Sequence, residues 1–92
     1  MEVTQAPTLE SLRQHDLVIL RRLRQGPLTE FELTNEVAEH SGYSHEQAGS
    51  NIGEWLEKLT ASGLVWSGRL HNSNGQYILA AALTRQGREL VG

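Results

Sequence analysis

The stretch SNIGEWLEKLTASGLV, Ser50–Val65, contains a helix, its end and the start of a strand. On a helical wheel at about 100° per residue, Ala48, Ile52, Trp55, Leu56 and Leu59 occupy about one third of the circumference, the pattern of a helix with one buried stripe. The opposite arc carries Gln47, Ser50, Glu54, Glu57 and Ala61, flanked by Asn51 and Lys58. Gly63 supplies a left-handed residue that stops the helix, and Leu64 is placed to fold back on the last turn. Upstream, Ser44 with Gln47 at the third helical position forms a capping box, and Tyr43 against Ala48 a weak hydrophobic staple. This helix therefore begins at Ser44.

Two further helices precede it. In L-T-E-F-E-L after Pro27, Thr29 is the N-cap, Glu32 reaches back to it, and Leu28 staples onto Leu33. The second helix runs from there to about His40, burying Leu33 and Val37 with Phe31 or Ala38 nearby, and Gly42 stops it. Before the Gly26-Pro27 breaker, Leu9, Leu12, Ile19, Leu20 and Leu23 recur near helical spacing, widened by Leu17 and Val18, which predicts a first helix over about 9–25. Its cap is either Thr8 or Ser11 boxed with Gln14. Residues 1–8 are expected to form a flexible tail, and 9–92 one domain.

Downstream, 65–70 and 76–80 read as strands around H-N-S-N-G, where Asn74-Gly75 is a strong hairpin dipeptide because both residues tolerate positive φ. A short terminal helix follows over 83–90. The order is three helices, a hairpin and a last helix.

At 92 residues and 38% hydrophobic content the chain fits one small domain, which buries only about 60% of its unfolded surface. No apolar run reaches the roughly 18 residues of a membrane span, and MEVTQAPT lacks the features of a signal peptide, so a soluble cytoplasmic protein is expected. The absence of cysteine excludes disulfides, Cys-based zinc sites and thiol redox chemistry. His40 and His45 flank one turn as the remaining metal candidates, but nearby carboxylates already serve as helix-start residues, so neither a metal nor another cofactor is expected. With no nucleophile elbow and no phosphate-cradling glycine loop, an enzyme is not expected either.

The net charge of -3 is unevenly spread. Residues 28–57 hold Glu30, Glu32, Glu36, Glu39, Glu46, Glu54 and Glu57 with no Lys or Arg, whereas Arg13, Arg21, Arg22 and Arg24 precede this segment and Lys58, Arg69, Arg85 and Arg88 follow it. Any phosphate-binding surface must draw on the two ends. The Arg21, Arg22, Arg24 cluster fits a solvated face, a partner for the glutamates of the second helix, or a nucleic-acid patch. Trp55 and Trp66 fit packing roles better than base-stacking platforms, although Trp66 beside Gly68 has room to be exposed.

In this order and spacing the chain resembles the winged helix-turn-helix transcriptional regulators of the broad MarR, PadR and ArsR type. The phrase I-x-x-x-L-x-x-L-x-x-x-G-L-V (Ile52, Leu56, Leu59, Gly63, Leu64, Val65), the wing around Asn74-Gly75 and the close Leu-Thr-x-x-Gly-Arg-Glu-Leu carry the resemblance, which covers about 9–91. It implies an α+β, mostly α, winged helix-turn-helix fold of three helices, a two-stranded β-hairpin wing and a short C-terminal helix. It also implies double-stranded DNA as partner, with the third helix in the major groove and the wing on phosphates or in the minor groove.

Carried over by position, the resemblance places Ser44, His45, Gln47, Ser50, Asn51 and Glu54 on or beside the base-facing surface, and Arg69, His71, Asn72 and Asn74 on the wing. Gln47 or Asn51 suits adenine, and Ser50 a phosphate or a base. Glu54 departs from the arginine common in such regulators: it either accepts from cytosine N4 or pairs with Lys58 one turn on. Lys58, Arg69, Arg85 and Arg88 are left to neutralise phosphates. Gly49 and Gly53 each cost about 1 kcal/mol within a helix, which close approach of the second helix or of a DNA backbone would explain. A homodimer through the first and last helices is expected, since one short reading helix gains affinity from two half-sites. The competing expectation is a protein-interaction module whose acidic 28–57 segment engages a basic protein partner; the isoelectric point near 5.7 favours it.

Overall fold

A computed structural model of the chain describes residues 12–71 and 73–91. The expected tail over 1–8, the caps Thr8 and Ser11, and the wing residue Asn72 lie outside them. The elements are α1 (Gln14–Leu23), β1 (Leu28–Thr29), α2 (Glu30–His40), α3 (His45–Ala61), β2 (Val65–His71), β3 (Tyr77–Leu83) and α4 (Arg85–Val91).

The local signals of the middle of the chain hold in detail. Thr29 caps α2, its Oγ1 accepting from Glu32 N–H at 3.3 Å while Glu32 accepts from Thr29 N–H at 3.2 Å. Ser44 and Gln47 make the same reciprocal pair at the start of α3, at 3.0 and 3.1 Å. At the end of α3, Gly63 has φ +78°, its N–H reaches the Thr60 carbonyl and Leu64 N–H the Leu59 carbonyl, both at 3.0 Å. These are the two hydrogen bonds of a Schellman motif.

Two expectations are corrected and one is extended. The first helix opens at Gln14, not near residue 9, because Leu12 and Arg13 are non-helical and the Asp16 carboxylate accepts from Arg13 N–H at 3.0 Å, which makes Arg13 the N-cap. The two-stranded wing hairpin of β2 and β3 is present, and β1 joins it as a third strand in the order β1-β3-β2: Leu28 and Thr29 pair antiparallel with Ala81 and Ala80. A two-residue strand is too short to leave a periodic signal. Being central, β3 extends to Leu83, and Ala80 and Ala81 suit a strand flanked on both edges. Finally, the hairpin loop falls between the last pair, His71 and Tyr77, with Gly75 at φ +77°, but no described non-glycine residue has positive φ, so Asn74 does not use the left-handed conformation that the dipeptide allows.

The core forms where α1, α2 and α3 meet the inner face of the sheet. Ile19, Leu20, Leu23, Leu33, Val37, Leu56 and Leu64 are essentially fully buried, with Ala38 packed against them and Phe31 turned outward. Thr84 anchors α4: its N–H donates to the Leu64 carbonyl at 3.1 Å, its hydroxyl donates to the Gly63 carbonyl at 2.7 Å, and Gly87 N–H donates back to that hydroxyl at 3.0 Å.

Candidate nucleic-acid interface

Capping and packing leave α3 with one exposed face. Its buried stripe is Ala48, Ile52, Trp55, Leu56 and Leu59, as the wheel predicts, so Gln47, Ser50, Glu54, Glu57 and Ala61 face outward. Several of these groups are already engaged. Ser44 Oγ and Gln47 Oε1 hold the cap, which leaves the Gln47 NH2 as its outward donor. Asn51 Nδ2 donates to the Gln47 carbonyl at 2.8 Å, so a bidentate contact from Asn51 to adenine requires this bond to open. His45 and Ser50 are exposed, and the Ser50 hydroxyl makes no hydrogen bond among the described residues.

Glu54 pairs with Lys58 at 3.4 Å, both side chains more than half exposed. In water such an i,i+4 pair contributes about 0.2–0.5 kcal/mol. Its larger consequence is to hold the one cation of α3 against an anion.

The wing presents two different faces, because β-strand side chains alternate. Ser67 Oγ lies 3.0 Å from Thr60 Oγ1 of α3, so the face carrying Ser67, Arg69 and His71 looks toward the helix. A groove of about 530 Å³ lies between them, with Gly53, Glu57 and Ala61 on one wall and Ser67 and Arg69 on the other. His71 meets the Tyr77 ring edge-on at 4.2 Å, and Asn74 is exposed in the loop. On the other face Trp66 is 60% exposed and its indole lies across Gly68, where a Cβ would stand 2.7 Å from the ring. Arg85 and Arg88 do not line the groove: α4 packs on α1 and β3, and Arg85 pairs with Glu89 at 3.4 Å.

The arginine cluster of α1 resolves in part. Arg22 Nε binds Glu36 Oε1 at 2.8 Å and also reaches Gln25, so it partners α2. Among the described residues the grouping with metal-ligand chemistry is Glu36, Glu39 and His40, without His45, and the Arg22 cation already occupies Glu36.

A second feature escaped the sequence reading. His15 is 6% exposed and stacks on Trp55, ring centroids 4.1 Å apart and planes 19° from parallel, with Tyr43 edge-on to it. The spacing Leu12, His15, Ile19, Leu23 carried the signal, since it puts His15 in the buried stripe of α1.

Three helices with a β-hairpin wing folded against them define a winged helix-turn-helix protein. No protein-family model matches the sequence, and no curated protein sequence matches it. Solved structures do. A Thermoplasma acidophilum protein assigned as a transcriptional regulator, TA0346, superposes with a TM-score of 0.72 at 25% identity over 84% of this chain and 72% of its own. Bacillus subtilis PadR, solved in complex with operator DNA, superposes with a TM-score of 0.70 at 25% identity over 86% of this chain and 45% of its own. The chain thus has the fold of PadR-like winged-helix regulators and spans less than half the length of PadR.

Proposed function

We propose that the chain is a sequence-specific double-stranded DNA-binding protein, a cytoplasmic homodimeric transcriptional regulator, with α3 in the major groove and the wing on the backbone. The observation that carries this reading is the superposition on PadR, a protein solved on its operator. The exposed face of α3 supports it with donors of the right kind, the Ser50 hydroxyl and the Gln47 amide, and the groove supports it with Arg69 on the wing beside the helix. His45, Asn51 and Glu54 flank the base-facing surface, while Ser44 acts through the cap. Lys58, Arg69, His71, Asn72 and Asn74 are assigned to the backbone. The dimer uses α1 and α4, where Val18, Leu90 and Val91 remain partly exposed.

The glycines of α3 fit this reading. A Cβ on Gly53 would meet nothing within 4 Å, and one on Gly49 would make only an ordinary 3.8 Å contact with Thr34. Crowding by α2 therefore explains neither, and close approach by DNA remains. Gly53→Ala is expected to raise stability in urea denaturation by about 0.5–1 kcal/mol while weakening duplex binding. A variant both more stable and equally tight on DNA would remove this explanation.

The direct test is fluorescence anisotropy of a labelled duplex across a salt series. Affinity is expected to fall steeply with salt, by a slope of about 0.9 for each phosphate neutralised, and Arg69→Ala to reduce that slope by about one. Failure to bind duplex at low salt overturns the reading. The acidic surface of α2 and α3 then favours the second one, a module docking a basic protein. Among the described residues no helix is long and apolar enough to cross a membrane.

A further inference from the structure

His15 is the buried polar side chain of the core among the described residues. Three rings from three segments meet around it: His15 from α1, Tyr43 from the turn before α3, and Trp55 from the inner stripe of α3. The Tyr43 and Trp55 centroids are 5.1 Å apart. His15 Nε2 lies 3.3 Å from Asp16 Oδ1 and His15 Nδ1 3.5 Å from the Tyr43 hydroxyl. This geometry suits a neutral imidazole that donates from Nε2 to Asp16 and accepts at Nδ1 from Tyr43.

On α3, Trp55 follows Glu54 and lies one turn from both Asn51 and Lys58. All four line a single cavity of about 640 Å³ with His15 and Tyr43. The face turned to DNA and the ring stack are therefore coupled through one helical turn. We propose that His15 is a positioning residue of α3: as a neutral ring it seats Trp55 and Tyr43 and so fixes the helix for DNA, and on gaining a proton it releases them. This inference rests on the reading of α3 as the DNA-contacting helix.

The charged and titratable groups around the imidazole are Arg13 and Asp16 from the start of α1, Tyr43 from the turn, and Glu54 and Lys58 from α3. Burial disfavours the imidazolium most strongly; Asp16 favours it, and Arg13 and Lys58 oppose it. The result is a pKa below the ordinary 6.5. Stability contributed by the neutral ring is accordingly complete above pH 6.5 and is lost as pH falls through the lowered value. The adjacent cavity gives a newly formed imidazolium a route to water. A proton on Nδ1 also turns that acceptor into a donor, so the Tyr43 hydroxyl must turn away.

The test uses the full chain with the exposed Trp66 replaced, Trp66→Phe, so that Trp55 is its single tryptophan. Its emission is expected to change between pH 7.5 and 5 with a midpoint below 6.5, and Asp16→Asn, which removes the charge favouring the imidazolium, is expected to lower that midpoint. Duplex affinity is expected to fall over the same interval by less than about thirtyfold, since a group titrating below 6.5 is at most about 97% protonated at pH 5. His15→Phe keeps a stacking ring without a proton site. It should abolish the Trp55 transition and that part of the affinity loss, while every other pH effect on binding stays common to both proteins. A flat Trp55 signal in the Trp66→Phe protein overturns the inference, even if His15→Phe fails to fold. An affinity profile unchanged by His15→Phe also overturns it. Absence of duplex binding at every pH beside an intact Trp55 transition overturns the DNA reading instead.

Discussion

Gly87→Ala is expected to cost about 3 kcal/mol, the upper end for forcing extra volume into a close-packed site, in a domain whose total stability is on the order of 5–15 kcal/mol. Gly87 lies in α4 and is buried, and a Cβ there would stand 2.1 Å from the Leu64 carbonyl oxygen and 2.9 Å from Leu83 Cδ2. The first obstacle is backbone, which has no rotamer to change. To make room α4 must move off Leu64 and β3. That movement strains the Thr84 bonds to the carbonyls of Gly63 and Leu64 and draws Leu90 and Val91 from the core edge. Urea denaturation compared with Gly53→Ala gives an internal control, because the same added methyl enters open space at Gly53. A loss below about 1 kcal/mol, or the gain of about 1 kcal/mol that helix propensity alone gives alanine over glycine, would show that α4 does not seat on Leu64.

This glycine marks how far the sequence could be read. In Leu-Thr-x-x-Gly-Arg-Glu-Leu the pattern was visible as a resemblance, but its cause was not, since nothing near Gly87 in the chain announces a carbonyl from residue 64. The same holds for Gly68 under the Trp66 indole. Helix starts were legible because a capping box lies within four residues: both Thr29 and Ser44 act as their neighbours predict. The buried stripe of α3 was legible for a similar reason, since one helix face is a local pattern. β1 was not legible because it needs partners distant in the chain, Ala80 and Ala81. The bonds that occupy Gln47 and Asn51 are local, spanning three and four residues, but rest on side-chain rotamers that no sequence pattern fixes. Glu54 had two open readings; its pairing with Lys58 satisfies the plainer one and changes what the charge of that face can do.

The double variant Glu54→Gln, Glu57→Gln is therefore expected to bind duplex DNA about tenfold more tightly at low salt, a gain of about 1.4 kcal/mol. Two effects act together. Each substitution removes a carboxylate that repels phosphate from the outward face of α3, and Glu54→Gln also frees a cation. Glu54 holds Lys58 at 3.4 Å, while Glu57 only shares the groove with Arg69. Freed, Lys58 is available to a phosphate oxygen, so the salt dependence should steepen by up to about one phosphate contact. Both side chains are exposed and glutamine is a good helix former, so stability should change by less than about 0.5 kcal/mol. The single variants separate the effects: Glu54→Gln should steepen the salt slope more than Glu57→Gln, because its cation is the one in direct contact. On a specific operator the sign can differ from that on random duplex. If Glu54 accepts from a cytosine N4, Glu54→Gln loses discrimination at that base pair while gaining affinity everywhere else. A double variant that binds DNA no better, and that loses capture of a basic polypeptide the parent retains, would place the glutamates in a protein interface and move the function with them.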